Sequence, residues 1–183
     1  LLEVLLGCII GLPRSQQYLR CLKTLQYTLH DNHNIAVAID TSHGLAVPNI
    51  KNVQNLSLFE VQEELIRLKK LAEETKLGRS DLADGTICVS NIGAVGGGTY
   101  AGPLILPPQV CIVAIGSTKT LPRYEGENFD KVVAKRIVIV QMNSDAPELR
   151  MDHRVIDGST VAKFAMKWKS YLEYPSIMLA SLR

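Results

Sequence analysis

The densest group of polar side chains in the sequence lies near the C-terminal end, directly before a segment with helical periodicity. It contains Asp152, His153, Arg154 and Asp157, and Gly158 follows. An imidazole with an unperturbed pKa of about 6.5 can accept a proton at neutral pH, and a carboxylate can fix its tautomer. The segment is therefore a candidate for general-base catalysis. The alternative is structural, with His153 and its neighbours capping or bracing the following helix.

Metal binding is the other chemistry that this segment suggests, because His153 and Asp157 are four residues apart and would share one face of a helix. No second histidine lies near His153, and Asp157-Gly158 is typical of a turn. His30 and His33 are spaced irregularly from Cys21, so we expect both histidines to be exposed to solvent. We therefore predict no metal site.

A second candidate site is Ser90-Asn91, at the end of a strand-like segment and before a glycine-rich loop. Its hydroxyl and amide could bind a ligand, or they could simply cap the turn. The loop from Gly93 to Gly98 lacks the Lys-Ser/Thr of a P-loop and the spacing of a G-x-G-x-x-G motif. The sequence therefore does not predict either of these phosphate-binding loops.

Composition excludes several classes of function. The chain has 183 residues and a net charge of +2, with acidic and basic residues interleaved, so a nucleic-acid-binding surface is not expected. The longest apolar run, 1–12, contains Glu3 and is too short to cross a membrane. The four cysteines form no C-x-x-C pair, which favours a reducing compartment. The chain has neither a Met start nor a basic leader, so we expect it to begin inside a domain.

Hydrophobic periodicity predicts the elements that position these residues. Residues 1–29 are ambiguous, with a helical stripe suggested by Leu19, Leu22 and Leu25. Further along the chain we predict a β-hairpin at 34–47, a helix at 57–74 with a Ser57–Glu60 capping box, strands at 86–89 and 110–115, a turn at 125–128 into a strand at 132–140, a loop at 143–147, and a helix from about 159 that ends before Pro175. Such a mixture predicts a single α/β domain in which helices cover a largely antiparallel or mixed sheet.

The sequence also resembles a known family. Asp152-His153-Arg154-Val155-Ile156-Asp157-Gly158 is similar to the active-site signature of the dihydrolipoamide acyltransferases, the E2 core components of 2-oxo acid dehydrogenase complexes. Further similar motifs occur in the family's order at 34–41, 44–49, 90–93 and 107–110, so the resemblance covers about residues 33–182. Within the family, residues 90–93 with the glycine-rich loop that follows, together with 116–119 and 121–123, resemble the branched-chain type most closely, with the pyruvate and 2-oxoglutarate types as alternatives.

The resemblance implies a fold, an assembly and a substrate pair. The fold would be a two-layer sandwich like that of chloramphenicol acetyltransferase, a mixed sheet covered by helices. The assembly would be a homotrimer, and a cubic 24-mer of eight trimers in the branched-chain type. The active site would be a channel between two subunits that coenzyme A enters from one end and the dihydrolipoyl arm from the other.

The resemblance also implies roles for individual residues. His153 would take the thiol proton, Ser90 of the partner subunit would donate a hydrogen bond to the oxyanion, and Asp157 would hold the site through a salt bridge. The positions matching coenzyme A contacts are Asp40, Lys69, Ser90, Asn91, Gly116 and Thr118.

The expected function is transfer of a branched-chain acyl group, such as isobutyryl, between dihydrolipoamide and coenzyme A. We expect residues 1–183 to form an N-terminally truncated catalytic domain, with the lipoyl and subunit-binding domains that engage E1 and E3 absent. The implied location is the mitochondrial matrix, or the cytoplasm of a bacterium. Residues 1–30 and an insertion between Val140 and Asp152 depart from the family pattern. The alternative is therefore an inactive truncated core with a scaffold role.

Overall fold

A computed structural model describes residues 17–21, 26–95, 103–107, 109, 111–125, 131–142 and 157–181. The strands are β1 (Gln17–Cys21), β2 (Gln26–His30), β3 (Ile35–Thr41), β4 (Gly44–Ala46), β5 (Asn49–Ile50), β6 (Ile87–Asn91), β7 (Ile112–Tyr124) and β8 (Val132–Met142). The α-helices are α1 (Leu58–Glu73), α2 (Arg79–Leu82), α3 (Gly158–Glu173) and α4 (Pro175–Ser181), and short 3-10 turns occur at Val53–Asn55 and Ile92–Val95.

The main sheet has six strands, in the order β4-β3-β6-β7-β8, with β5 also pairing with β3. The central strands β3, β6 and β7 run parallel to one another, whereas β4, β5 and β8 pair antiparallel with their neighbours. The prediction of a mixed sheet is therefore confirmed, and so is the hairpin formed by β3 and β4.

The two faces of this sheet carry different partners. One face buries the odd-numbered side chains of the central strands against α1 and α3, as the cluster containing Val37, Val89, Val113, Leu68 and Trp168 shows. The opposite face carries a smaller cluster of Ala36, Cys88 and Ile112, with Val47 and Ile105 packed against it. Since side chains of a strand alternate between faces, the long helices α1 and α3 pack on one and the same face, which agrees with the predicted layer of helices on a mixed sheet.

Helix α1 forms where the capping box predicted it. The Ser57 N–H donates to the Glu60 carboxylate at 2.7 Å, and the Glu60 N–H donates to the Ser57 hydroxyl at 3.3 Å. Val61, Leu68 and Ala72 bury the face that packs on the sheet. Local capping and apolar spacing agree here, which explains why this prediction is confirmed almost to the residue.

The N-terminal part differs from the sequence interpretation in two ways. The sequence is ambiguous over 1–29, with a leucine spacing that suggests a helical stripe, whereas β1 and β2 form an antiparallel hairpin in which Gln17 pairs with His30. His33 is buried, with 2% of its surface exposed, and His30 is half-buried, whereas we expected both to be exposed. His33 lies two residues before β3. Its carbonyl accepts a hydrogen bond from the Val53 N–H at 2.9 Å, so His33 lies next to the 3-10 turn at Val53–Asn55. The predicted loop at 143–147 lies outside the described residues.

Candidate functional site

Ser90 lies near the carboxyl end of β6, in the middle of the sheet. It pairs with Ala38 of β3 on one side and with Ala114 of β7 on the other. Because side chains alternate along β6, Ser90 lies on the same face as Cys88, opposite the face on which α1 and α3 pack. Ser90 is half-buried, and no described residue accepts a hydrogen bond from its hydroxyl. The hydroxyl is therefore placed to donate to a ligand on this face.

Most of the other predicted contacts lie at the same end of the sheet. Asp40 is exposed near the end of β3, and Asn91 follows Ser90 and pairs with Ile115 of β7. Gly116 directly follows Ile115, and Thr118 lies two residues further along β7. Ligands of open α/β sheets bind outside the carboxyl ends of parallel strands, and the ends of β3 and β6 meet here. The structure thus brings these residues to one edge, although they are distant in sequence.

Lys69 is not brought to this edge. Its side chain is exposed on α1, and α1 packs on the opposite face of the sheet from Ser90. Within one chain, Lys69 and Ser90 therefore lie on opposite sides of the sheet, so a ligand held by both would have to extend around the sheet or between two copies of the chain.

Asp157 is the N-cap of α3. Its carboxylate accepts a hydrogen bond from the Thr160 N–H at 2.6 Å and another from the Ser159 hydroxyl at 3.0 Å. These hydrogen bonds, the one from the Thr160 backbone above all, lower the pKa of Asp157. The capping role considered for this segment is therefore observed at Asp157. His153 and Asp152 lie outside the described residues, so the role of His153 stays a prediction.

Replacing Asp157 with alanine is expected to lower the melting temperature at pH 7, because α3 loses its N-cap acceptor. A carboxylate whose pKa falls on folding stabilises the folded state above its unfolded pKa of about 3.9, and this contribution is lost as the pH falls through the lower folded-state value. Thermal melts of both proteins between pH 7 and pH 2.5 should therefore show a difference that narrows toward the acid end, where only the part supplied by a neutral capping oxygen remains.

The matched control is Asp157→Asn, which keeps a capping oxygen without the charge. We expect it to retain most of the stability. If it is stable but transfers acyl groups poorly, the negative charge has the further role that the family resemblance implies. A difference between wild type and Asp157→Ala that does not change with pH would contradict the capping account.

The two described cysteines near the site are not candidate nucleophiles. Cys88 lies on the same face as Ser90, and its N–H donates to the Cys111 carbonyl at 3.2 Å. Burial raises the pKa of both thiols to about 12, so they stay protonated at neutral pH. Neither thiol can therefore supply the thiolate that nucleophilic catalysis needs.

In the described part of the chain, the structure groups no three His, Cys, Asp or Glu side chains that could hold a metal ion. Over the same residues, none of the helices has the length and apolar character needed to traverse a bilayer.

Comparison with known proteins links the chain to acyltransferases. A family model described as "2-oxoacid dehydrogenases acyltransferase (catalytic domain)" matches residues 16–180. The lipoamide acyltransferase component of the mitochondrial branched-chain alpha-keto acid dehydrogenase complex from Caenorhabditis elegans is 47% identical over 152 residues, which cover 83% of this chain and 32% of that protein. Its Mus musculus counterpart is 48% identical over 156 residues, covering 85% and 30%.

A more distant relative belongs to a different complex. The dihydrolipoyllysine-residue acetyltransferase component of the pyruvate dehydrogenase complex from Mycoplasma capricolum is 35% identical over 148 residues, covering 80% of this chain and 31% of that protein. The chain thus spans about a third of the length of these curated relatives.

Solved structures show the same fold. The cubic core of the pyruvate dehydrogenase multienzyme complex superimposes with a TM-score of 0.78 at 24% identity, over 97% of this chain and 68% of that one. A truncated catalytic core of the 2-oxoacid dehydrogenase multienzyme complex from Thermoplasma acidophilum gives a TM-score of 0.72 at 24% identity, over 95% and 72%. At this identity the likeness establishes the fold alone.

Proposed function

The chain belongs to the family of 2-oxoacid dehydrogenase acyltransferase catalytic domains, and we propose that it transfers a branched-chain acyl group, such as isobutyryl, between dihydrolipoamide and coenzyme A. The observation that carries the choice of acyl group is the difference in identity, 47–48% to the branched-chain relatives against 35% to the pyruvate-type relative. Ser90 lies near the carboxyl ends of parallel strands, and this position supports a transfer site there.

In the proposed mechanism, His153 takes the proton from the attacking thiol, so that the sulfur can form a bond to the thioester carbonyl carbon. Ser90 donates a hydrogen bond to the carbonyl oxygen as it becomes negative. When the intermediate collapses, the bond to the original sulfur breaks, and His153 returns its proton to the departing thiolate. A fixed donor in a site with little water stabilises the oxyanion far more than the same donor would in water.

Coenzyme A binds along the edge formed by Asp40, Asn91, Gly116 and Thr118 in this proposal. Asp40 and Asn91 offer a carboxylate and an amide for polar groups of the ligand, and the glycine lets the ligand approach the backbone of β7. In this proposal the lipoyl group is carried on a domain other than the catalytic one, and E1 and E3 associate through the lipoyl and subunit-binding domains. We place the protein in the mitochondrial matrix, since the names of its branched-chain relatives describe those proteins as mitochondrial.

We expect the chain to form homotrimers, and a cubic 24-mer as in the branched-chain type. Helix α3, which follows His153 in sequence, packs on one face of the sheet, whereas Ser90 lies on the other face. That separation supports a site completed by a second copy of the chain. Size-exclusion chromatography with light scattering measures the mass directly, and a stable monomer with full activity would contradict the shared site.

The proposed function is tested by a coupled assay of the purified chain with free dihydrolipoamide and with isobutyryl, acetyl or succinyl coenzyme A. We expect the highest kcat/KM with isobutyryl coenzyme A. A preference for the acetyl or succinyl thioester would assign the pyruvate or 2-oxoglutarate type instead. A folded, assembled chain with no turnover of any thioester would identify the scaffold role.

A further inference from the structure

The 3-10 turn that follows β6 touches the backbone of β7 through Gly93. A Cβ atom added at Gly93 would lie 2.3 Å from the carbonyl oxygen of Gly116, 2.5 Å from its carbonyl carbon and 2.7 Å from the nitrogen of Ser117. All three atoms belong to the backbone, so no side-chain rotation could relieve the overlap. Only a glycine fits the contact as it stands.

The segment that Gly93 touches is a β-bulge. The pairing of β7 with β8 passes from Ile115↔Val140 to Thr118↔Val138, so β7 has one residue more than β8 over this interval. The pairing of β6 with β7 ends at Asn91↔Ile115. Gly116 and Ser117 therefore take part in neither of these ladders, and the contact with Gly93 is the packing that holds the bulge against the end of β6.

We infer that Gly93 is a positioning residue for the transfer reaction. Together with the β6–β7 pairing that ends at Asn91↔Ile115, its contact sets how the turn after Ser90 packs against the bulge that carries Gly116 and leads to Thr118. The oxyanion donor and the proposed coenzyme A contacts are thereby held in one geometry. This inference rests on the proposed function of these residues.

Alanine at position 93 would perturb the contact and little else. Among the described glycines only Gly44 has a positive φ, at 115°, so Gly93 has a backbone conformation that alanine also adopts. Ordinary contact begins at 3.4 Å, so the turn or the bulge must shift to accept a Cβ at 2.3 Å. Displacements of about 1 Å in a catalytic geometry can lower the rate about 10²-fold.

The decisive experiment is a double-mutant cycle of Gly93→Ala and Ser90→Ala, with kcat and the KM for coenzyme A measured on the folded protein. If Gly93 acts through Ser90, Gly93→Ala should lower kcat about 10- to 100-fold alone but less than about 3-fold in the Ser90→Ala background. The KM for coenzyme A should rise in both backgrounds, because the bulge carries contacts to that substrate. An effect on kcat that does not act through Ser90 predicts the same loss in both backgrounds, and a purely structural role predicts no loss of kcat in the folded protein.

Gly85→Ala is the matched control, because Gly85 lies two residues before Ile87, at the other end of β6. A Cβ there would meet the side-chain nitrogen of Gln109 at 2.6 Å and the Cβ of Ala36 at 3.3 Å. We expect a lower melting temperature and an unchanged kcat in the folded fraction.

Deletion of Ser117 provides a second variant if Gly93→Ala does not fold. It removes the extra residue of the bulge without adding an atom, and kcat should again fall in the wild-type background only. Additive losses in the cycle, or full kcat after the deletion, would overturn the inference while leaving the proposed function intact. A folded wild-type chain without transfer activity would overturn both.

Discussion

Replacing His153 with alanine is expected to lower the rate of acyl transfer by about 10²- to 10⁴-fold, which is the usual contribution of a general base. The attacking thiol must lose its proton before or during bond formation, and His153 is the histidine of the Asp152–Gly158 segment. Both kcat and kcat/KM should fall, because proton removal belongs to the transition state and not to substrate binding. The coupled assay with isobutyryl coenzyme A measures the loss.

The control for this prediction is His30→Ala. His30 ends β2 and is half-buried, and the proposed mechanism gives it no part. Circular dichroism and the assembled mass of His153→Ala should match those of the wild type, which would separate a chemical loss from a folding defect. Near-full activity in His153→Ala would mean that another group takes the thiol proton.

The predictability of the fold depended on whether local signals and the final packing agreed. Helix α1 combines a capping box with an apolar stripe, so its limits could be read from the sequence. Strand β7 was predicted to end at Ile115, yet it continues to Tyr124 through Gly116 and Pro122. The glycine lies in the bulge, and Pro122 pairs with β8 beyond the point where β6 has ended, on a segment where a missing N–H is tolerated. A distant partner strand thus decided the length of β7.

The same distinction applies to the site. Ser90, Asn91 and Asp40 end strands, and ends of parallel strands meet at one edge, so their proximity could be expected from the motifs. The position of Lys69 depends on which face of the sheet α1 covers, and no local pattern contains that information. The role inferred for Gly93 could not be predicted from the sequence. The 2.3 Å distance between a Cβ built at Gly93 and the Gly116 carbonyl oxygen depends on where the bulge lies in the fold. The sequence showed only a glycine two residues after Asn91.

Replacing Ser90 with alanine is expected to lower kcat by about 10²- to 10³-fold with a smaller change in KM. A hydrogen bond to the oxyanion strengthens as charge develops, so its loss affects the transition state more than the bound substrate. If Ser90 only capped the turn, the change would instead reduce stability by about 1 kcal/mol and leave kcat near normal. We expect the first outcome, since among the described residues no acceptor is seen for the hydroxyl and Ser90 lies on the face opposite α1 and α3.

Steady-state kinetics and a urea melt on the same Ser90→Ala sample separate these outcomes, and Ser57→Ala is the matched control. Ser57 caps α1 with its hydroxyl, so its loss should lower the free energy of unfolding and leave kcat unchanged. The two serine variants should therefore show opposite patterns, one in rate and the other in stability. A Ser90→Ala protein that is destabilised like Ser57→Ala but fully active would remove Ser90 from the mechanism, and with it the reason for tying β6 to the bulge through Gly93.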